Sequence, residues 1–105
     1  MALPEYEDFF TRLEFDAHNA IPTFIRGDFY DITAPNDPVF YLHHTQLGRL
    51  WWKWQQRDLG NRVRKLSKHG HVENVHNVID MGELAPKIVV RDTLDTLVDP
   101  LCYQY

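Results

Sequence analysis

The chain has 105 residues, 44% hydrophobic and 13% aromatic, with a formal net charge of −4. That length allows one small domain, the composition excludes a disordered chain, and the lack of a basic block argues against nucleic acid or an anionic membrane as main partner. A lone cysteine, Cys102, rules out an intrachain disulfide, no apolar run approaches the roughly 18 residues of a bilayer span, and the acidic start "MALPEYEDFF" lacks a secretory pattern, so a soluble intracellular protein is the default expectation.

Tyr6, Phe9, Phe10 and Leu13 recur at three- and four-residue spacing. This predicts a helical turn or two. "AHNAI" continues or restarts the helix, Pro22 interrupts it, and Gly27 with "TAPNDP" marks a loop.

The clearest element comes next. Asp37 is a good N-cap and Pro38 suits the first helical position. At about 100° per residue, Phe40, His43, His44, Leu47, Leu50, Trp51 and Trp54 fall within an arc of about 120°. Gln46, Arg49, Lys53 and Gln56 lie on the other side. An amphipathic helix of about 20 residues is predicted, ending near "RDLGN" with Gly60 as its stop.

A polar loop rich in Lys, His and Asn follows, and its basic stretch, residues 62–71, reads as solvated surface. "VENVHNVIDMGEL" is a short helix or an irregular segment, and residues 87–91 are predicted as a short strand. "LCYQY" closes the chain with side chains that gain by docking on a core. In that setting Cys102 is expected as a buried, inert thiol.

His43 and His44 both lie on the apolar arc. A lone histidine there is more often a hydrogen-bonded core residue than a ligand. Two adjacent ones each need partners for their ring nitrogens. One solution places a metal on one nitrogen and an acceptor on the other. His18 sits on the preceding element with Asn19 beside it. An all-imidazole set without thiolate suits copper or zinc. His69, His71 and His76 form a second cluster, "HGHVENVH". Its Gly, Lys and Asn neighbours promise no packed surroundings, so an adventitious or solvated role is expected.

The stretch "APNDPVFYLHHTQLGRLWWKWQ" resembles the second copper-binding motif of the tyrosinase family, written "SPxDPxFxLHHxxxDRLWxxWQ". The upstream "LEFDAHNAIPTFIRGDF" is similar to that family's "HNxxHxxxGGxM" segment. "GELAPKIVVRDTLDTLVDPLCYQY" is similar to the close of short fungal tyrosinase catalytic domains, including a terminal Tyr-x-Tyr at Tyr103 and Tyr105. The resemblance covers most of the chain and is weakest over residues 61–77.

The resemblance implies a type-3 copper protein that uses dioxygen to hydroxylate phenols and to oxidise o-diphenols to quinones. Its fold would be a helical bundle holding two copper ions, three histidines to each. His18 matches the first ligand of the second copper site and His44 the third. His43 matches a neighbouring histidine that is not itself a ligand. Asn19 matches the asparagine linked to positioning a water or a substrate proton. Asp37 matches the Asp that starts the helix.

The sequence departs from the motif at chemically important places. The second ligand position of this site is Pro22, which has no ligand atom and removes a backbone donor. The family's Gly-Gly pair is Arg26 and Gly27, its methionine is Phe29, and its Asp before "RLW" is Gly48. No segment of these residues resembles the first copper site. The expectation is a mainly α fold over residues 1–105: a partial, half tyrosinase-type copper bundle with an irregular C-terminal segment and at most a short strand. At most one weak copper site is expected, the chain alone is expected to be inactive, and the helix face from Phe40 to Trp54 is left to be covered by a protein partner or by association. The competing expectation is a non-catalytic metal-binding or interaction module.

Overall fold

The computed structural model describes residues 5–62, 66–68 and 71–105, with side chains described over 5–62 and 74–105. Two compact units divide the chain, Met1–Asp58 and Leu59–Tyr105. The fold is mainly helical, as the sequence pattern predicts.

In the first unit, helix α1 spans Tyr6–Arg12 and runs into a π-helical segment, Leu13–His18. There the Asn19 amide bonds the Glu14 carbonyl at 3.0 Å, a five-residue step that gives one wide turn. Helix α2, Ala20–Ile25, follows with Asn19 itself in the helical region. Pro22 therefore does not break the helix, against expectation. Proline's fixed φ suits the first turn of a segment, so Pro22 joins α2 although it brings no amide hydrogen for the carbonyl four residues before it. The helix resumes at once, with the Arg26 amide on the Pro22 carbonyl at 2.8 Å.

Short 3-10 turns at Gly27–Tyr30 and Ala34–Asn36 then lead to helix α3, Pro38–Gln56. Asp37 caps α3: its Oδ1 accepts the Val39 amide at 2.9 Å. Helix α3 stops at Gln56, and Gly60 lies inside a further short helix, α4, Leu59–Arg62.

The apolar arc of α3 faces the earlier helices. Trp54 is 3% exposed and stacks on Phe9 at 4.8 Å with an interplanar angle of 18°, and Tyr6 meets the same indole at 6.1 Å. Burying rings of this size stabilises by about 1.5–3 kcal/mol each. Phe40, His43, His44, Leu47, Leu50 and Trp51 are half-buried. The most exposed apolar side chains of the unit lie off this arc, at Phe24, Ile32 and Leu42. The face expected to stand open is thus partly covered by the chain's own N-terminal helices.

The second unit contains more strand than expected, because two loops fold back into short antiparallel pairs. Strands β1, Leu66–Lys68, and β2, His71–Glu73, form one. Strands β3, Val78–Ile79, and β4, Ile88–Val89, form the other, with Val78 opposite Val89. β4 lies within the strand predicted over residues 87–91. The loop between β3 and β4 is clasped by Lys87 on Asp80 at 2.7 Å, and Asp80 also accepts the Gly82 amide at 2.9 Å. Both contacts hold the Asp80 carboxyl below its ordinary pKa, the lysine more strongly. Cys102 is exposed, not buried as expected, and its backbone takes φ 49°. His69 and the His71 side chain lie outside the described residues. No helix among the described residues is long and apolar enough to cross a membrane.

Candidate metal centre

The π-helical segment delivers His18 and the middle of α3 delivers His43 and His44. His18 Nε2 and His44 Nε2 face each other across 3.3 Å. Carbonyl acceptors fix which nitrogens of His43 and His44 carry protons. His44 Nδ1 lies 2.8 Å from the Phe40 carbonyl. A carbonyl only accepts, so Nδ1–H donates and Nε2 keeps a lone pair. His43 Nε2 lies 3.1 Å from the His18 carbonyl, so there Nε2–H donates.

His18 Nδ1 is buried with Glu14 Oε2 at 3.3 Å, without the alignment of a hydrogen bond. No acceptor fixes the His18 tautomer: with its proton on Nε2 the ring donates to the His44 lone pair, and with the proton on Nδ1 the two Nε2 atoms oppose lone pairs. Two lone pairs at 3.3 Å repel unless a proton or a cation lies between them. Two imidazole nitrogens each about 2.0–2.1 Å from one ion, at a roughly tetrahedral angle, would also stand about 3.3 Å apart. The separation fits one metal ion when both Nε2 atoms are unprotonated.

His43 does not share that focus. Its ring lies parallel to His18, centroids 5.9 Å apart at 13°, and meets the buried Phe29 edge-on at 5.5 Å. Burial pushes the His43 imidazole below its ordinary pKa, opposed by the bond to the His18 carbonyl and aided by the neighbouring His44 and His18.

A cavity of about 390 Å³ opens beside the pair, lined by His18, Asn19, Pro22, Phe29, Phe40 and His44 among others. Pro22 therefore borders the same space as both imidazoles but offers it no donor atom. Among the described residues no set of three His, Cys, Asp or Glu side chains converges on one point. Asn19 lines the cavity, and its carbonyl accepts the Thr23 amide and hydroxyl. Asp37 sits at the cap of α3 and does not line the cavity. His76 is placed in the second unit, where its amide bonds Asn74 Oδ1.

Glu14 escaped the sequence reading. Its signal was there: a carboxylate four residues before His18 sits on the same helical face. The π-turn, which no residue pattern announced, changes that register by one step.

Residues 2–57 match the family profile described as the common central domain of tyrosinase. That match ends beside the first unit's boundary at Asp58. The tyrosinase-like protein phomQ1 of Diaporthe leptostromiformis is 48% identical over 97% of this chain and 29% of its own length. The tyrosinase-like protein phomQ2 of the same organism is 39% identical over 95% of this chain and 27% of its own, and the tyrosinase ustQ of Aspergillus flavus 37% identical over 95% and 29%. No solved structure matches. The chain spans less than a third of the length of these relatives. On the match of its first unit and the identity along nearly all of its length, the chain belongs to the tyrosinase family.

Proposed function

We propose that this chain forms one wall of a tyrosinase-type copper centre, with His18 and His44 holding one copper ion through Nε2. The observation that supports it is the 3.3 Å approach of two Nε2 atoms, one of them held as a lone pair by the Phe40 carbonyl. In the whole protein the reaction class is the oxidation of phenols and o-diphenols to quinones by dioxygen. Copper, when bound, supplies the redox partner between the phenolic substrate and dioxygen. The chain's own residues do the rest. Glu14 Oε2 stands 3.3 Å from His18 Nδ1, and the Phe40 carbonyl orients His44. Asn19 is the candidate for positioning a water or a substrate proton. The cavity has the volume of a small-molecule site, which runs from roughly 300 to 1,000 Å³, and its Phe29 and Phe40 walls suit a phenolic ring.

Two imidazoles with Pro22 in the third position leave the ion weakly held. The 105-residue chain alone is therefore inactive toward diphenols. Titration with Cu(II) tests the proposal: one ion should bind wild type, and His44→Ala and His18→Ala should each weaken binding about tenfold or more, about 1.4 kcal/mol. Unchanged affinity in either variant removes that histidine from the site. Copper-dependent quinone formation sustained by the pure chain would overturn the inactivity.

A second reading is favoured by the apolar surface. Phe24 and Ile32 are 91% and 94% exposed, more than an isolated folded unit needs to show. A non-catalytic interaction module would present them and bind no copper in the same titration.

A further inference from the structure

We infer that His43 is a positioning residue for His18, supplying the hydrogen bond to the His18 carbonyl that Pro22 cannot. The chain is helical from Tyr6 through Ile25, with Asn19 in the helical region at the join. In such a helix the carbonyl of residue 18 takes its hydrogen bond from the amide of residue 22. Residue 22 is proline and has no amide hydrogen. The next amide, Thr23, goes to the Asn19 carbonyl at 3.3 Å instead. The His18 carbonyl is thereby left without a helical donor. His43 Nε2–H reaches it at 3.1 Å from the neighbouring helix.

His43 is well held for this task. Phe29, 2% exposed, closes on one edge of the ring, and the His18 imidazole lies parallel to it. The donor is thus fixed by packing, and it fixes in turn the backbone that carries His18. The same device makes proline tolerable at residue 22: the orphaned acceptor gains a side-chain partner where a main-chain one is absent. His43 and Pro22 are coupled, although neither holds a metal.

A four-protein cycle tests this in the full 105-residue chain without metal: wild type, His43→Phe, Pro22→Ala, and both changes together. Pro22→Ala returns an amide to residue 22. His43→Phe should raise the unfolding constant in urea about tenfold in the proline background, and no more than about twofold in the Pro22→Ala background. Equal losses in both backgrounds would overturn the coupling. Should His43→Phe fail to fold, His43→Gln, which keeps a side-chain N–H, takes its place and should lose less than His43→Ala; equal loss counts against the inference. A long-range 1H–15N spectrum of wild type adds a reading that needs no variant: His43 should carry its proton on Nε2, and a proton on Nδ1 would sink the idea. The cycle then repeats with Cu(II) affinity as readout, the only arm that rests on the proposed metal site. Absence of copper binding in all four proteins counts against that site and leaves the unfolding result standing.

Discussion

His18 Nε2 stands 3.3 Å from His44 Nε2, and Pro22 lines the cavity onto which both imidazoles open. A side chain at residue 22 with a ligand atom would face the same space. Pro22→His should therefore tighten Cu(II) binding about tenfold or more relative to wild type, about 1.4 kcal/mol. Because the substitution also restores an amide at residue 22, Pro22→Ala is the necessary control. A gain shared by both variants would assign the effect to the backbone, and a gain confined to Pro22→His assigns it to the imidazole. No gain in either shows that residue 22 does not point at the ion.

Helix α3 was legible because several signals agree on it. The Asp37 cap, Pro38 at the first turn and a seven-residue apolar arc all describe one element. Its partner helix was harder to read. Pro22 and the following Gly27 looked like punctuation, yet the chain stays helical through Pro22, which falls in the first turn of α2 after a π-turn. That turn lies against α3, and single-residue propensities carry no information about such a tertiary contact. Three of the four short strands were missed for a related reason, β4 being the one the pattern marked: each is two or three residues long, below the length at which alternation can be counted. At the site, periodicity placed both His43 and His44 inward without separating their roles. The separation lies in acceptors that only tertiary structure supplies, the carbonyls of Phe40 and His18.

Asp37 offers a way to separate a helix cap from a metal-site residue. Its carboxylate accepts the Val39 amide at 2.9 Å and lies about two turns before His44 on α3. Asp37→Ala should destabilise the chain by about 1 kcal/mol, within the roughly 0.5–2 kcal/mol of other cap deletions. Asp37→Asn or Asp37→Ser should recover most of that loss in urea unfolding. Copper affinity of the folded Asp37→Ala protein should stay within about twofold of wild type. A larger change would make Asp37 part of the site's support.

Tyr105 gives a pH-dependent reading in the second unit. Burial, and then the hydrogen bond its hydroxyl donates to Tyr103 Oη at 3.0 Å, push the Tyr105 phenol up to about 12, with the Tyr103 charge acting the same way. The folded state thus favours the neutral phenol. Its contribution to stability is fully present below the unfolded value of about 10 and is lost as pH rises through the folded value. An ultraviolet titration should show one tyrosine ionising later than the rest, and Tyr103→Phe should bring it back toward about 10. A single common transition near that value for all tyrosines would show that the pair does not form.

Arg26 follows α2 with φ 62° and ψ −153°, a region open almost only to glycine, and Gly27 beside it has φ 61°. Residues forced there cost of order 1–3 kcal/mol. The resemblance places a Gly-Gly pair at these two positions, and the backbone explains why glycine suits both. Arg26→Gly should stabilise the chain toward urea by about 1 kcal/mol, after the added flexibility of the unfolded chain offsets part of the relieved strain. Arg26→Ala keeps a Cβ and should gain far less. Gly27→Ala should lose stability, although nothing stands within 4 Å of the added Cβ, because the cost there is conformational and not steric crowding by neighbours. If Arg26→Gly and Arg26→Ala are equally stable, the backbone at residue 26 does not adopt this conformation in solution. Copper affinity tells the two halves of the segment apart. Arg26 does not line the cavity and His18 does, so Arg26→Gly should raise stability while leaving the affinity within about twofold of wild type.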